Sequence, residues 1–487
     1  MRRAALAALV LASAIATVSA SPRVDQAAVD AFVDGCVSRY KIPGLSLAWV
    51  EDGKAVFVKG YGEASRGAAA TPDTRYVIGS TSKMFTALAV LKLVDEGRVE
   101  LDAPYKRYVP EFELAKPGEA ERISVRHLLN MASGLSDRGL APLSEGEASP
   151  EAELARLRKA SLAAEPGKLY HYYSINYRLL ALLVERVSGR SFEGFVEGEV
   201  FAPIGMSSSR SGLSEKGEGG RLPRAEVAQG YGVFLGLPIA RKQEIRVSSF
   251  ASGMMVSTAR DIGKYLEAAI AVSGGGPAVG ALSAASLESA WTAPRGAGYG
   301  MGWMVMDGGA RLFHAGALEN YQSAFFLDPR GRRGFAILMN QGGISAQASL
   351  NALRDGLFDL MEGRAPAALK HRPSVTVFAF IFFLALALSA FRIARLKAWR
   401  RRSELRARRP GASPARDWIV ASLGLASALF LVFGLIPLGN AVMGDYTDWV
   451  MISGLAPDAL SALPIILAGA LVVATYKFLV LARRGRA

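Results

Sequence analysis

The stretch after Pro366 constrains this chain more than any other. Three apolar runs occupy 375–391, 418–438 and 459–481, the last with Pro464 inside it. Each is close to the length that crosses a bilayer. Any one run alone also fits a buried core helix. Three in succession, flanked by basic residues, point instead to a three-helix transmembrane region. The formal net charge of +14 supports that reading through its distribution. Ten Lys/Arg lie between Arg392 and Arg416, offset only by Glu404 and Asp417. Four more close the chain and Arg2-Arg3 open it, which accounts for the whole excess. Basic blocks beside apolar runs indicate membrane topology, and they argue against a nucleic-acid partner. Lys/Arg bias places the 392–417 loop and the 482–487 tail in the cytoplasm. The 439–458 loop carries Asp445, Asp448 and Asp458 with no Lys or Arg, and so belongs outside.

The N-terminus leads to the same orientation. Residues 1–20 read as a signal peptide, with Arg2-Arg3 before an apolar stretch and Val18-Ser19-Ala20 as a small-residue cleavage site. Residues 21–365 then form an extracytoplasmic domain, and 366–374 a linker. The expected location is the cytoplasmic (inner) membrane, multi-pass, with a periplasmic domain. One cysteine, Cys36, excludes an internal disulfide framework, and four scattered histidines do not suggest a metal cluster. No metal and no cofactor are expected.

Within 21–365 the pattern changes along the chain. Residues 26–41 fit an amphipathic helix. Two alternating apolar runs, 44–50 and 55–60, flank Asp52-Gly53 and fit a β-hairpin. Helices follow at about 80–96, after Ser124, at 178–187 and at 261–271. Four strand-like runs then cover 298–306, 311–314, 321–327 and 334–339, with a helix at 346–361. The fold class is α/β (α+β): one antiparallel sheet built from both ends of the domain, flanked by helices, with a helical subdomain inserted between.

The candidate chemistry starts at Gly79-Ser80-Thr81-Ser82-Lys83. A serine opening a helix, with a lysine three residues on, puts hydroxyl and amine on one face at the positive end of the helix dipole. The spacing also fits an ordinary helix cap with a solvated lysine. A second copy, Ser38-Arg-Tyr-Lys41, lies at a helix end, where a lysine caps carbonyls. Tyr172-Tyr173-Ser174 opens another helix in an aromatic, polar cluster. A tyrosine there, beside two amines, is placed to hold a lowered pKa and pass protons. His314-Ala315-Gly316 ends a strand with small residues that let a substrate backbone approach.

These segments together resemble the serine β-lactamase-like hydrolases of the class C type, which include β-lactamases, DD-peptidases, D-aminopeptidases and esterases. The resemblance covers roughly 24–362. It rests on Ile42-Pro43-Gly44-Leu45, the Ser80 segment, Arg126-His127-Leu128-Leu129, Pro166-Gly167 through Tyr177, and His314-Ala315-Gly316. It implies a β-lactamase/transpeptidase-like fold and acyl-enzyme formation on an amide or ester. Ser80 is then the nucleophile, Lys83 and Tyr172 the proton carriers, and the Ser80 and Ala317 N–H groups the oxyanion hole. Ser174, His314, Gly316 and Ala317 line the substrate site. Ser174 stands where the family has an asparagine, and His314 where it commonly has a lysine. The first alters the contact to the substrate's acyl side chain, and the second removes a permanent positive charge and points to a less acidic substrate. The expected partners are a small-molecule, peptide or ester substrate, in keeping with a cell-wall origin, and the membrane. A slowly acylated penicillin-binding sensor that signals through the helices is the alternative.

Overall fold

The computed structural model describes residues 25–136, 149–245, 247–371, 373–408, 415–433 and 462–484. The first hairpin forms as its turn dictates. Asp52 and Gly53 both adopt positive φ (53° and 73°), the combination that matches the twist of two antiparallel strands. They join β1 (Gly44–Glu51) to β2 (Lys54–Ser65), with β3 (Ala68–Ala69) at the edge. Four strands from the other end of the domain complete the sheet: β4 (Met304–Met306), β5 (Arg311–Ala317), β6 (Gln322–Asp328) and β7 (Arg333–Met339). The order is β4-β5-β6-β7-β1-β2-β3, antiparallel throughout. The two ends of the chain meet where β1 pairs with β7, Leu45 opposite Met339.

Alternation on these central strands explains why both faces are covered. Leu45, Leu47, Trp49, Phe335 and Ile337 point to one side, against α1 (Gln26–Tyr40) and α8 (Ile344–Met361). Ala48, Val50, Ala336 and Leu338 point to the other. That second face packs against α2 (Ser82–Asp95), α6 (Ala259–Ser273) and the inserted helical middle. The middle includes α3 (Val125–Leu129), α4 (Pro150–Leu157) and α5 (Ile175–Ser188), while α7 (Ala284–Trp291) lies between α6 and β4. Ser124 caps α3 by accepting from the His127 N–H, and the His127 ring returns a bond to the Ser124 N–H. His127 is therefore a capping residue.

One expected strand is much shorter than its sequence run. Only Met304–Met306 of 298–306 pairs as a strand. Gly300 and Gly302 explain the difference. A Cβ on Gly300 would lie 2.3 Å from the Ala290 carbonyl oxygen, and one on Gly302 2.7 Å from the Met84 Cα. Glycine serves close approach to α7 and α2 here, not sheet formation.

Past the domain, helices α9 (Pro373–Ala394), α10 (Leu396–Ala407), α11 (Ala415–Phe433) and α12 (Ala462–Arg484) follow. Two segments among the described residues are long and apolar enough to cross a bilayer, Val375–Ala394 and Ala462–Arg483. The third expected span, the 418–438 run, is described only as far as Phe433. Its described part begins at Trp418, directly after Arg416 and Asp417 in α11. The rest of that run lies outside the described residues, as do the expected signal segment, the 439–458 loop and the end of the basic tail.

Candidate active site

The Ser80 turn is fixed before its chemistry begins. Gly79–Thr81 is one 3₁₀ turn leading into α2, and Gly79 has φ 58°. A side chain there would be strained and would crowd the Ala317 amide nitrogen, 2.9 Å from the added Cβ. Gly316 is equally restricted, because a Cβ on it would fall 2.1 Å from the Ile78 carbonyl oxygen. Two glycines thus let the nucleophile turn sit directly on β5. Side chains then lock it. The Ile78 carbonyl accepts from Thr81 Oγ1 (2.6 Å) and Ser323 Oγ (2.7 Å), and Ser82 Oγ donates to the Gly79 carbonyl (2.7 Å).

Lys83 lies one turn along α2 and is fully buried. Its Nζ is 3.2 Å from Ser80 Oγ and donates to the Ser252 carbonyl at 2.5 Å. Burial holds the Lys83 pKa down to about 7, and the Arg178 charge adds to the effect. The solvated-lysine reading of this motif therefore does not describe the structure. The second copy behaves differently: Lys41 is the left-handed C-cap of α1 (φ 50°).

Tyr172 reaches the same point from the start of α5. Lys83 Nζ stands 5.0 Å from its ring centroid. The ring is 37% exposed at the mouth of the site, yet crowding around the hydroxyl raises its pKa. A hydrogen bond with Ser80 opposes that rise without cancelling it. The lowered tyrosine pKa expected from two neighbouring amines is not found. Lys83 is one amine, with its charge already suppressed, and the other position holds His314.

His314 is 1% exposed on β5. Its Nδ1 lies 2.8 Å from the Ala315 carbonyl oxygen, which can only accept, so Nδ1 carries the proton. Its Nε2 then accepts from the Tyr299 hydroxyl at 3.2 Å. Burial first, and the Lys83 charge second, push the His314 pKa down to about 3, leaving the ring neutral. Gly316 and Ala317 continue β5 beyond the end of β4, which pairs only as far as Phe313. Ser174 is the residue before α5 and makes no capping bond.

Three contributors escape sequence reasoning. The Ser252 carbonyl holds Lys83, and Ala251 accepts from Thr86 Oγ1 at 2.7 Å. Ser252-Gly253 is a turn signal, but nothing local ties it to Lys83, 169 positions earlier. Tyr299 sits in the glycine-rich run read as a strand and lies tilted against Tyr170 (5.8 Å) and edge-on to His314 (5.7 Å). Buried Glu153 on α4 pairs with Arg156 (2.6 Å) and Arg178 (3.2 Å), and so places the Arg178 charge behind Lys83.

Known proteins resemble this chain in sequence and fold. A family model described as Beta-lactamase matches residues 29–357. Protein flp of Staphylococcus aureus (strain COL) is 24% identical over 418 residues, 83% of this chain and 82% of that protein. A D-aminopeptidase of Brucella canis is 35% identical over 200 residues, 39% of this chain and 36% of that protein. The octameric penicillin-binding protein homologue from Pyrococcus abyssi superposes with TM-score 0.58 at 27% identity, covering 74% of this chain and 81% of that one. A class C β-lactamase gives 0.57 at 19%, covering 68% and 94%, a likeness of fold. The chain belongs to the β-lactamase family of serine hydrolases.

Proposed function

We propose that this protein is a membrane-anchored serine hydrolase that cleaves an uncharged ester or amide through an acyl-enzyme on Ser80. The observation that carries the reading is the 3.2 Å approach of Ser80 Oγ to a buried lysine whose pKa is about 7. A neutral Lys83 donates to the Ser252 carbonyl and keeps its lone pair for the Ser80 hydroxyl proton. As Oγ bonds to the substrate carbonyl carbon, the proton passes to Nζ. The carbonyl oxygen gains charge against the Ser80 and Ala317 N–H groups. Tyr172, kept protonated by its surroundings, hands a proton to the leaving group and regains one from Lys83. Water then releases the acyl group by the reverse path.

The substrate class follows from His314. Where a lysine would face a substrate carboxylate, β5 presents a neutral ring with both nitrogens occupied. Ser174 offers a short hydroxyl rather than an amide. The rings of Tyr170 and Tyr172 border the site and suit an apolar group. Turnover of the purified full chain on a neutral short-chain ester, a D-amino acid amide and a β-lactam tests this. We expect the ester or amide to exceed the β-lactam by at least tenfold in kcat/KM. A β-lactam preference would sink the assignment of His314, and acylation without turnover would favour a sensor.

Anchoring draws on the two span-length helices and on the outward apolar side chains of α9. Phe380, Phe383 and Leu388 are 66%, 57% and 51% exposed, a surface that lipid rather than water accommodates. Basic residues from Arg392 onward support a cytoplasmic 392–417 loop and an extracytoplasmic hydrolase domain.

A further inference from the structure

A cavity of about 470 Å³ opens between the ends of α9, α10, α11 and α12, far in sequence from the hydrolase site. Part of its lining is cationic. Arg392 comes from α9, Arg395 from the α9–α10 junction, Arg402 and Arg406 from α10, and Lys477 from α12. Arg406 is engaged with Asp417 at 2.6 Å. Among the described residues the other four have no carboxylate within ion-pairing distance. Arg395 and Lys477 instead lie over the rings of Phe391 and Trp399, at 5.2 and 5.3 Å. Val420, Leu425, Ala470, Val473 and Ala474 add an apolar lining from α11 and α12.

We propose that this cavity binds the headgroup of an anionic phospholipid of the cytoplasmic leaflet. Four unpaired cations drawn from three parts of the chain repel one another unless an anion joins them, and guanidinium groups suit phosphate oxygens. The apolar lining continues along the flanks of α11 and α12 and offers acyl chains a surface. A free phosphate would satisfy the cations and leave that lining bare. An open basic stripe would suit a polyanion, but here the cations share a cavity with apolar residues of α11 and α12. Basic pockets between helix ends on the cytoplasmic side are where anionic headgroups are held. The inference rests on the membrane anchoring proposed above.

The test uses the full chain in detergent micelles, first checked for retention in membranes after an alkaline carbonate wash. Native mass spectrometry then follows binding of dioctanoyl phosphatidylglycerol, dioctanoyl phosphatidylcholine and glycerol phosphate. The expected result is one phosphatidylglycerol retained, with neither of the others. Each cation removed weakens binding about fivefold, so R395Q/R402Q weakens it roughly 25-fold. Ester turnover by the same sample reports that the variant is folded. If the double variant does not fold, K477Q carries the same test with a loss of about fivefold. Equal retention of phosphatidylcholine, equal binding of glycerol phosphate, or unchanged binding by the variants overturns the lipid site and leaves the anchoring reading standing. Extraction of the wild-type chain by carbonate overturns both.

Discussion

An amine buried beside a hydroxyl must find a counter-charge or give up its proton, and Lys83 has no carboxylate paired with it among the described residues. Its pKa of about 7 sets two pH effects with different ranges. Turnover needs the neutral amine, so kcat/KM should rise with pH through about 7 and then level off. A profile flat from pH 5 to 9 would remove Lys83 as the base. Stability responds over a higher window. Between about pH 7 and 10.5 the unfolded chain holds a proton on Lys83 that the folded chain lacks. Wild-type stability therefore gains with pH across that window relative to Lys83→Met. At pH 7 we expect Lys83→Met to be the more stable protein and to lose about 10²- to 10⁴-fold in turnover. Thermal melts at pH 7 and 10 beside steady-state rates decide both points. Tyr172→Phe keeps the ring against Tyr299 and His314 and removes only the hydroxyl. It should lower kcat about 100-fold with little change in KM.

At the scale of elements, the site depends on how closely the Ser80 turn lies on β5. Gly316→Val forces a side chain into the Ile78 carbonyl, and we expect a loss of about 100-fold or more in kcat with a lowered melting temperature. Phe335→Ala, on the sheet face away from the site, should cost about 3–5 kcal/mol and leave the rate per folded molecule unchanged. Denaturant titration of both variants separates the two effects. Much of this scale is legible in sequence. Asp52-Gly53 marks the hairpin, Gly189 closes α5 in the left-handed region at φ 73°, and the strand runs at 322–339 are short, mostly apolar and separated by the Pro329-Arg-Gly turn. Ser80, Lys83 and Tyr172 stand out as candidates because local spacing and order carry them. The Gly298–Trp303 run misleads because close packing and strand formation both recruit glycine among large apolar residues. Ser252 contributes a carbonyl oxygen, which every residue has, so no residue type advertises it. The suppressed pKa of Lys83 is likewise a property of burial, which spacing does not report.

For the whole molecule, a β-lactamase-family domain precedes helices that carry most of the excess charge. Orientation can be read with single cysteines in a Cys36→Ser background. Lys54→Cys, on the exposed first hairpin, should react with a membrane-impermeant maleimide in intact protoplasts. Arg401→Cys, on α10, should react only after lysis. The reverse pattern would invert the topology and place the hydrolase domain in the cytoplasm. Beneath these predictions lies one claim, that Ser80 is acylated. Intact-mass and peptide mapping of the full chain after a brief exposure to an activated, serine-reactive ester measures it directly. The account predicts a single adduct on the peptide holding Ser80 and no adduct on Ser80→Ala. An adduct on another residue, or a Ser80→Ala protein labelled like wild type, would contradict it.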